Sequence, residues 1–222
     1  MPRAAVIHLE AAVERKPIIA RIQRLFPSLE IYPAKDGSQW AADPLIKRAH
    51  PLTRKTVPQS VMGCAHSHID LIHDALSKKD SVLAIFEDDC DFNDEITEKE
   101  IATYISRADT LGRPWDILLL GGTEYVESKE VSAEYTQVGR FWGTHALILQ
   151  ERGMRAALKA FDAAQKQGIF LLADWMYNEA IRLDSLICYG PTDPFRLCKQ
   201  KEGLVSQLTG KVRNYPKVGA SR

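Results

Sequence analysis

Short apolar runs alternate with segments of helical periodicity along most of this chain. The run at residues 82–86 is apolar throughout, and the run at 117–120 is equally uninterrupted. Such runs are typical of strands that are buried on both faces of a sheet. Strands that alternate with helices indicate a mainly parallel sheet with helices on both faces. The sequence therefore predicts a Rossmann-like α/β fold.

The same periodicities predict where the elements lie. Strands are predicted at residues 4–9, 29–32, 82–86, 116–120, 146–149 and 186–189. Helices are predicted at residues 14–26, 60–78, 97–107, 152–167 and 174–183. Segments 38–59 and 122–137 show neither pattern. We expect both to be irregular loops, a kind of segment that often carries binding residues.

The composition is that of an ordinary globular domain. The chain has 222 residues, of which 45% are apolar and 26% charged, with 29 basic and 29 acidic side chains. A balanced chain has no strong field for nucleic acid or for an anionic membrane, so we expect neither partner. We predict one domain over residues 1–209 and a loose basic tail over 210–222.

The four cysteines, Cys64, Cys90, Cys188 and Cys198, form no CxxC pair. The first apolar run is too short for a signal peptide. No run approaches the ~20 apolar residues of a membrane-spanning helix. These features predict a cytoplasmic protein with free thiols and no membrane span.

A cluster of carboxylates follows the apolar run at 82–86. Glu87, Asp88 and Asp89 come first, and Asp91 is next. Parallel sheets bind ligands at the carboxyl ends of their strands. Carboxylates there suit Mg²⁺ or Mn²⁺, which would stabilise the charge developing on a diphosphate leaving group. An acidic surface loop that binds nothing is the alternative.

A calcium-binding loop is a second alternative for this cluster. Asp89, Asp91, Asn93 and Glu100 fall at positions 1, 3, 5 and 12 of such a loop. Asp94 counts against it, because the sharp turn at that point needs glycine. The preceding segment also has the pattern of a strand rather than of a helix. For the function of the whole chain, two possibilities stay open beside a metal-dependent transferase. One is a non-catalytic module that binds calcium or a glycan, and the other is a nucleotidyltransferase.

Several short motifs occur in a fixed order along residues 5–206. They are Ala34-Lys35-Asp36-Gly37, Gly63-Cys64-Ala65-His66-Ser67-His68, Ala84-Ile85-Phe86-Glu87-Asp88-Asp89, Trp115-Asp116-Ile117-Leu118-Leu119-Leu120-Gly121, Gly143-Thr144-His145-Ala146, and the separated Pro194, Gln200 and Ser206. This ordered set resembles glycosyltransferase family 25, which includes lipo-oligosaccharide galactosyltransferases and relatives of the collagen galactosyltransferases. The chain departs from the family pattern at Leu147, where the family has tyrosine, and at His8-Leu9-Glu10, where it has N-L-x-R.

The resemblance implies a GT-A fold and a reaction. A sugar would move, with inversion, from a nucleoside-diphosphate sugar to a glycan or another hydroxyl acceptor. UDP-galactose is the implied donor, with Mn²⁺ or Mg²⁺ as the metal. Glu87 and Asp89, with His145 from a distant segment, are the expected metal ligands. Asp88 and Gln200 are expected to contact the donor.

Further donor contacts are predicted in two motifs. Asp36 and Gly37 follow the second strand, where glycine lets a ligand approach the backbone. A plain turn is the alternative. Ser67 and His68 would contact the donor phosphates or support the metal site. The alternative for His68 is a hydrogen-bonded histidine that holds its helix to the acidic loop.

An inverting transfer needs a base to take the proton of the acceptor hydroxyl. Asp174 is predicted to be that base, since it follows an apolar run and precedes a helix. Trp175 would offer a surface on which the acceptor sugar stacks, and His145 would contact the acceptor. The alternatives are that Asp174 caps its helix and that His145 is a polar residue of the core.

Overall fold

Strands and helices alternate in the computed structural model, which describes residues 2–37 and 59–204. The strands are β1 (Arg3–His8), β2 (Glu30–Pro33), β3 (Val82–Glu87), β4 (Cys90–Phe92), β5 (Ile117–Leu119), β6 (Glu124–Glu130), β7 (Tyr135–Trp142), β8 (Ala146–Gln150), β9 (Cys188–Pro191) and β10 (Cys198–Gln200). The helices are α1 (Lys16–Leu25), α2 (Gln59–Ser77), α3 (Glu98–Ala108), α4 (Glu151–Gln165) and α5 (Ala173–Asp184). A short 3₁₀ turn, Val13–Arg15, precedes α1.

An eight-stranded sheet in the order β2-β1-β3-β8-β5-β9-β7-β6 forms the centre of the fold. β1 pairs in parallel with β2 and β3, and β5 pairs in parallel with β9. β8 lies between β3 and β5 and is antiparallel to both, while β7 is antiparallel to β9 and β6. The predicted α/β class is confirmed, as a mixed sheet in which β8 and β7 run against the strands that they pair with.

Helices cover both faces of this sheet, and each face has its own core. α2, α4 and α5 pack on one face, where they meet Leu83 and Ile85 of β3. α1 and α3 pack on the other face, where they meet Ala84 and Phe86. Successive side chains of a strand point to opposite faces. The run at 82–86 is therefore apolar throughout because both faces of β3 are covered.

Local signals in the sequence set several helix ends. The Thr97 side chain accepts a hydrogen bond from the Glu100 backbone N–H, and the Glu100 carboxylate accepts one from the Thr97 backbone N–H. This capping box begins α3. Pro17 lies in the first turn of α1, where no intrahelical donor is lost. The observed helices agree with the predicted ones to within one helical turn.

The β6–β7 hairpin corrects the prediction of an irregular loop at 122–137. β6 lies at the edge of the sheet and is largely exposed. Its charged side chains include Glu124, Glu127 and Lys129. Charge on an edge strand prevents pairing with another chain, and it also leaves no apolar run for sequence reasoning to find. Of the loop predicted at 38–59, residues 38–58 lie outside the described residues, as does the predicted tail at 210–222, and Gln59 begins α2.

A second, two-stranded sheet joins the acidic segment to residues near the end of the described chain. β4 pairs antiparallel with β10, so that Cys90 faces Gln200 and Phe92 faces Cys198. The pairing carries Gln200 to the acidic loop from more than a hundred residues away in the chain. It explains how a late motif can contribute to a site built on the early strands.

Two predictions from composition concern the thiols and a membrane span. Within the described ranges, Cys64, Cys90, Cys188 and Cys198 form no disulfide, as predicted. None of the helices in the same ranges is long and apolar enough to cross a membrane.

Candidate active site

A cavity of about 410 Å³ opens at the carboxyl edge of β1, β2 and β3. Its walls come from the ends of these strands and from the first half of α2. Open α/β sheets bind ligands at this edge. Among the predicted site residues, the lining includes Asp36, Gly37, Ser67, His68, Glu87, Asp88 and Asp89. Motifs from three separate parts of the sequence therefore meet at one cavity.

The turn after β2 packs directly against α2. A Cβ atom on Gly37 would lie 1.8 Å from the Gln59 carbonyl oxygen, and one on Gly63 would lie 2.5 Å from the Lys35 carbonyl oxygen. Glycine is required at both places because two backbones meet there. The Ser67 hydroxyl accepts from the Lys35 N–H at 2.8 Å and donates to the Gly63 carbonyl at 2.7 Å. Gly37 and Ser67 thus build the wall of the cavity.

Asp88 fixes a buried arginine in that wall. Its carboxylate accepts a hydrogen bond from the Arg15 guanidinium, and its other oxygen lies 2.8 Å from His8 Nδ1. Arg15 Nη1 also lies 3.4 Å from Asp89 Oδ2. Sequence analysis missed Arg15, because the 3₁₀ turn that carries it falls inside a predicted helix. Arg15 brings a positive charge to a cavity whose lining includes Glu87, Asp88 and Asp89.

Asp89 is held by the segment around β10. Its Oδ2 accepts from Gln200 Nε2 at 3.0 Å, and its backbone carbonyl accepts from the Lys201 N–H at 2.7 Å. Gln200 is buried. The structure therefore brings together Asp89 and Gln200, which were predicted from motifs 111 residues apart in the sequence, and Gln200 orients the carboxylate.

Glu87 ends β3 and is contacted from two further elements. The Thr144 hydroxyl donates a hydrogen bond to its Oε1, and His68 Nε2 lies 3.4 Å from the same atom. Burial raises the pKa of Glu87, but the His68 imidazole and the Thr144 hydroxyl outweigh it and lower the pKa to about 2. Glu87 is therefore an ionised carboxylate at neutral pH. Sequence analysis missed Thr144, although it lies in one of the motifs.

Asp174 lies in the first turn of α5, close enough to Glu87 to respond to its charge. Burial, together with the negative charge of Glu87, raises the pKa of Asp174 to about 6. Its Oδ1 accepts from the Trp175 backbone N–H at 2.9 Å. Leu172, not Asp174, is the N-cap residue of α5, and Asp174 accepts its hydrogen bond from within the first turn.

Two indole rings accompany Asp174. The rings of Trp142, at the end of β7, and Trp175 meet edge to face with centroids 5.2 Å apart. Both side chains are half-buried. Sequence analysis missed Trp142, although it directly precedes the motif that begins at Gly143. An aromatic pair next to a carboxylate of raised pKa offers a surface on which a sugar ring can lie.

A sequence comparison identifies the family. The model described as "Glycosyltransferase family 25 (LPS biosynthesis protein)" matches residues 1–169. This chain belongs to glycosyltransferase family 25. No curated protein matches the chain in sequence.

Solved structures similar to this family member share little sequence with it. A glycosyltransferase involved in glycosylation of the major capsid of PBCV-1 is 10% identical over 74% of this chain and 68% of its own, with a TM-score of 0.40. A197 from STIV is 11% identical over 97% and 100%, with a TM-score of 0.42. Mannose-1-phosphate geranyltransferase from Thermus thermophilus is 12% identical over 85% and 73%, with a TM-score of 0.44. Similarity at this level does not bear on the activity.

His145 lies next to Glu87 in the interior of this glycosyltransferase. Its side chain is fully buried, and its backbone carbonyl accepts from the Glu87 N–H at 2.9 Å. A Cβ atom on Gly121 would lie 3.0 Å from His145 Nε2 and 2.7 Å from Cys198 Sγ, so the imidazole and this thiol line the same small space. The roles predicted for His145 toward a metal or an acceptor stay predictions.

The side chains at the calcium-loop positions do not converge. Asp91 pairs with Lys201 Nζ at 2.9 Å, and the Asn93 amide donates to two backbone carbonyls just before β10. Glu100 belongs to the capping box of α3. Within residues 2–37 and 59–204, a single group of three side chains could hold a metal ion. It consists of Cys64, His68 and Glu87.

Proposed function

We propose that this family 25 glycosyltransferase moves a sugar from a nucleoside-diphosphate sugar to a glycan hydroxyl, with inversion at the anomeric carbon. One observation carries the proposal. An ionised carboxylate, Glu87, lines the cavity, and a carboxylate of raised pKa, Asp174, lies close enough to Glu87 to respond to its charge. Glu87 would act on the side of the leaving diphosphate, where a cation is needed. Asp174 would act on the side of the acceptor hydroxyl, where a base is needed.

The donor would occupy the cavity between α2 and the strand ends. A volume of about 410 Å³ falls within the usual ~300–1,000 Å³ of small-molecule pockets. We place the nucleotide against the turn at Asp36 and Gly37 and the diphosphate toward Glu87. Arg15 and Lys35 line the same cavity. Arg15 is already paired with Asp88, so Lys35, which is half-exposed and contacts Asp70, is the cation that we expect to meet the phosphates. The family resemblance favours UDP-galactose as the donor.

A divalent cation, when bound, would stabilise the charge that develops on the leaving diphosphate. The residues present fit such an ion. Glu87 is ionised, and the buried His68 Nε2 beside it has no hydrogen-bond partner. Asp89 lines the same cavity. Mn²⁺ and Mg²⁺ are the ions that the family resemblance implies.

Asp174 would take the proton from the acceptor hydroxyl as that oxygen attacks the anomeric carbon. The bond to the leaving diphosphate breaks on the opposite face, which inverts the configuration. A pKa of about 6 keeps Asp174 ionised at neutral pH and close to the optimum for a base. Trp142 and Trp175 would support the acceptor sugar. Given the family's description, we propose a lipopolysaccharide glycan as the acceptor class.

The test has a binding step and a product step. Thermal unfolding is followed with UDP, GDP and CMP, each with and without Mn²⁺. A ligand at 100 times its Kd adds about 2.7 kcal/mol, which is readily detected. NMR of the reaction with the matching nucleotide sugar and lipopolysaccharide oligosaccharides then gives the anomeric configuration of the product. We expect stabilisation by UDP with metal, release of UDP and an inverted product.

Three results would contradict the proposal. Release of pyrophosphate would indicate a nucleotidyltransferase. Stabilisation by Ca²⁺ without any response to nucleotides would indicate a binding module. Retained activity in the Asp174→Asn variant would show that Asp174 is not the base. Asp184→Asn is the matched control, since Asp184 ends the same helix and pairs with the exposed Lys159.

A further inference from the structure

The Cys64, His68 and Glu87 side chains point their ligand atoms at a common space. These atoms all lie within 4.8 Å of one another. Cys64 and His68 are four residues apart on α2, so they share one face of the helix. Glu87 reaches the same space from the end of β3. All three line the cavity that we assign to the donor.

The His68 imidazole is held in the orientation that a metal ligand needs. His68 is fully buried, and its Nδ1 shares a hydrogen bond with the Tyr177 hydroxyl at 3.0 Å. Its Nε2 has no hydrogen-bond partner and lies 3.4 Å from Glu87 Oε1. Buried polar atoms are normally satisfied, so an exception calls for an explanation. Metal-binding histidines use one ring nitrogen for a protein partner and the other for the ion.

The neighbouring carboxylates are already engaged with the protein. Both oxygens of Asp88 contact Arg15 and His8. Asp89 Oδ2 is shared between Gln200 and Arg15. Within the described residues, Glu87 is the carboxylate whose oxygen lies within 4.8 Å of both the Cys64 thiol and the His68 imidazole, so a cation between these groups takes Glu87 as its carboxylate.

We infer that the divalent cation of this site is held by Cys64 Sγ, His68 Nε2 and a Glu87 oxygen, rather than by a set of carboxylates. This inference rests on the proposed function only in placing the ion beside the diphosphate. Three protein ligands leave coordination open, as catalytic metal sites do. A set of sulfur, nitrogen and oxygen selects Zn²⁺ or Co²⁺ over Mn²⁺, and Mn²⁺ over Mg²⁺.

Cobalt spectroscopy tests the ligand set without any nucleotide or acceptor. The full chain is freed of metal with a chelator and titrated with Co²⁺. We expect a thiolate-to-cobalt charge-transfer band in the near ultraviolet, with Zn²⁺ displacing the Co²⁺. Cys64→Ser removes the band, whereas Cys188→Ala, a buried thiol on β9, leaves it unchanged. Circular dichroism confirms that each variant is folded.

Two further variants distinguish the residue that orients His68 from a carboxylate that is not a metal ligand. Tyr177→Phe removes only the hydroxyl that orients His68, so Co²⁺ affinity falls about 10–100-fold while the band persists at saturation. Asp89→Asn leaves the charge-transfer band in place at saturation, because the thiolate ligand is unchanged. A wild-type titration without a charge-transfer band would overturn the inference. So would a band that survives Cys64→Ser, or an Asp89→Asn variant that binds no cobalt.

These outcomes are independent of the transferase proposal. If cobalt binding depends on Cys64 but the chain binds no nucleotide sugar, the inferred metal site is supported and the transferase proposal is contradicted. If the chain transfers sugar but shows no charge-transfer band with Co²⁺, the transferase proposal is supported and the inferred metal ligands are contradicted.

Discussion

Arg15 and Asp88, 73 residues apart in the sequence, form an ion pair in which both side chains are buried. His8 is the second partner of the same carboxylate. Removing one member of a buried pair leaves a charge without compensation, which costs about 3–5 kcal/mol. Because Asp89 Oδ2 still lies 3.4 Å from Arg15 Nη1, we expect Asp88→Ala to lower the free energy of unfolding by about 3 kcal/mol, the lower end of that range, in urea denaturation.

The control for this prediction is an exposed pair. Arg155 and Glu151 lie one turn apart on α4, and both side chains are largely in solvent. Such pairs contribute about 0.3–0.5 kcal/mol. Arg155→Ala should therefore change the stability only slightly. If both variants lost the same free energy of unfolding, the buried Arg15–Asp88 pair would be no more important for stability than an exposed pair.

The close approach of the turn after β2 to α2 gives a second prediction. In an ordinary helix interior, Gly→Ala stabilises by up to about 1 kcal/mol. A Cβ atom on Gly63, however, would lie 2.5 Å from the Lys35 carbonyl oxygen, a backbone atom that cannot rotate away. We expect Gly63→Ala to destabilise the fold by about 1–3 kcal/mol and to weaken nucleotide binding.

A matched glycine lies in open space. No atom would come within 4 Å of a Cβ atom on Gly112. Thermal unfolding of Gly112→Ala should therefore match the parent chain, with unchanged nucleotide binding by calorimetry. A Gly63→Ala variant as stable as this control would mean that α2 and the turn do not meet as described.

The sequence predicts this fold well where a local period reports on burial. The apolar run at 82–86 signals a strand covered on both faces, and Thr97 with Glu100 signals the start of α3. β6 escapes the same reasoning, because an edge strand with one solvated face carries charges instead of an apolar run.

Much of the site depends on contacts that no local pattern reports. The partners His8 and Asp88 are 80 residues apart, and His68 and Tyr177 are 109 residues apart. Motif order places Glu87, His68 and Asp36 at one sheet edge, because strand ends meet there. It does not show which carboxylates are paired with a buried arginine or accept a hydrogen bond from an amide. The difference between Glu87 and Asp88 is therefore visible only in the folded chain.

The aromatic pair gives a third prediction. If the acceptor sugar lies on Trp175, the Trp175→Ala change removes an apolar face without touching the donor cavity. Aromatic contacts of this kind contribute about 0.5–1.5 kcal/mol beyond the area they bury. We expect the acceptor KM to rise roughly tenfold, which corresponds to about 1.4 kcal/mol. Steady-state kinetics should show an unchanged donor KM. An effect confined to the donor would place the acceptor elsewhere.

The pKa of Asp174 sets the pH dependence of transfer. Burial and the charge of Glu87 raise it to about 6, and the base works only when ionised. Activity should therefore be half-maximal at about pH 6, level above about pH 7, and fall about tenfold per unit at lower pH. A cation bound at Glu87 would offset the charge of that carboxylate, so the metal-loaded enzyme should lose activity at or below this pH.

Asp174→Asn separates this group from others that titrate nearby. An amide cannot accept the proton, so kcat should fall at least about 100-fold, and the remaining activity should no longer decline below pH 6. Asp174→Glu keeps a carboxylate and should retain the acidic decline at a shifted pH. The profiles of kcat/KM for the three proteins, measured with saturating metal, distinguish these cases. An Asn variant with the parent's acidic limb would show that another residue is the base.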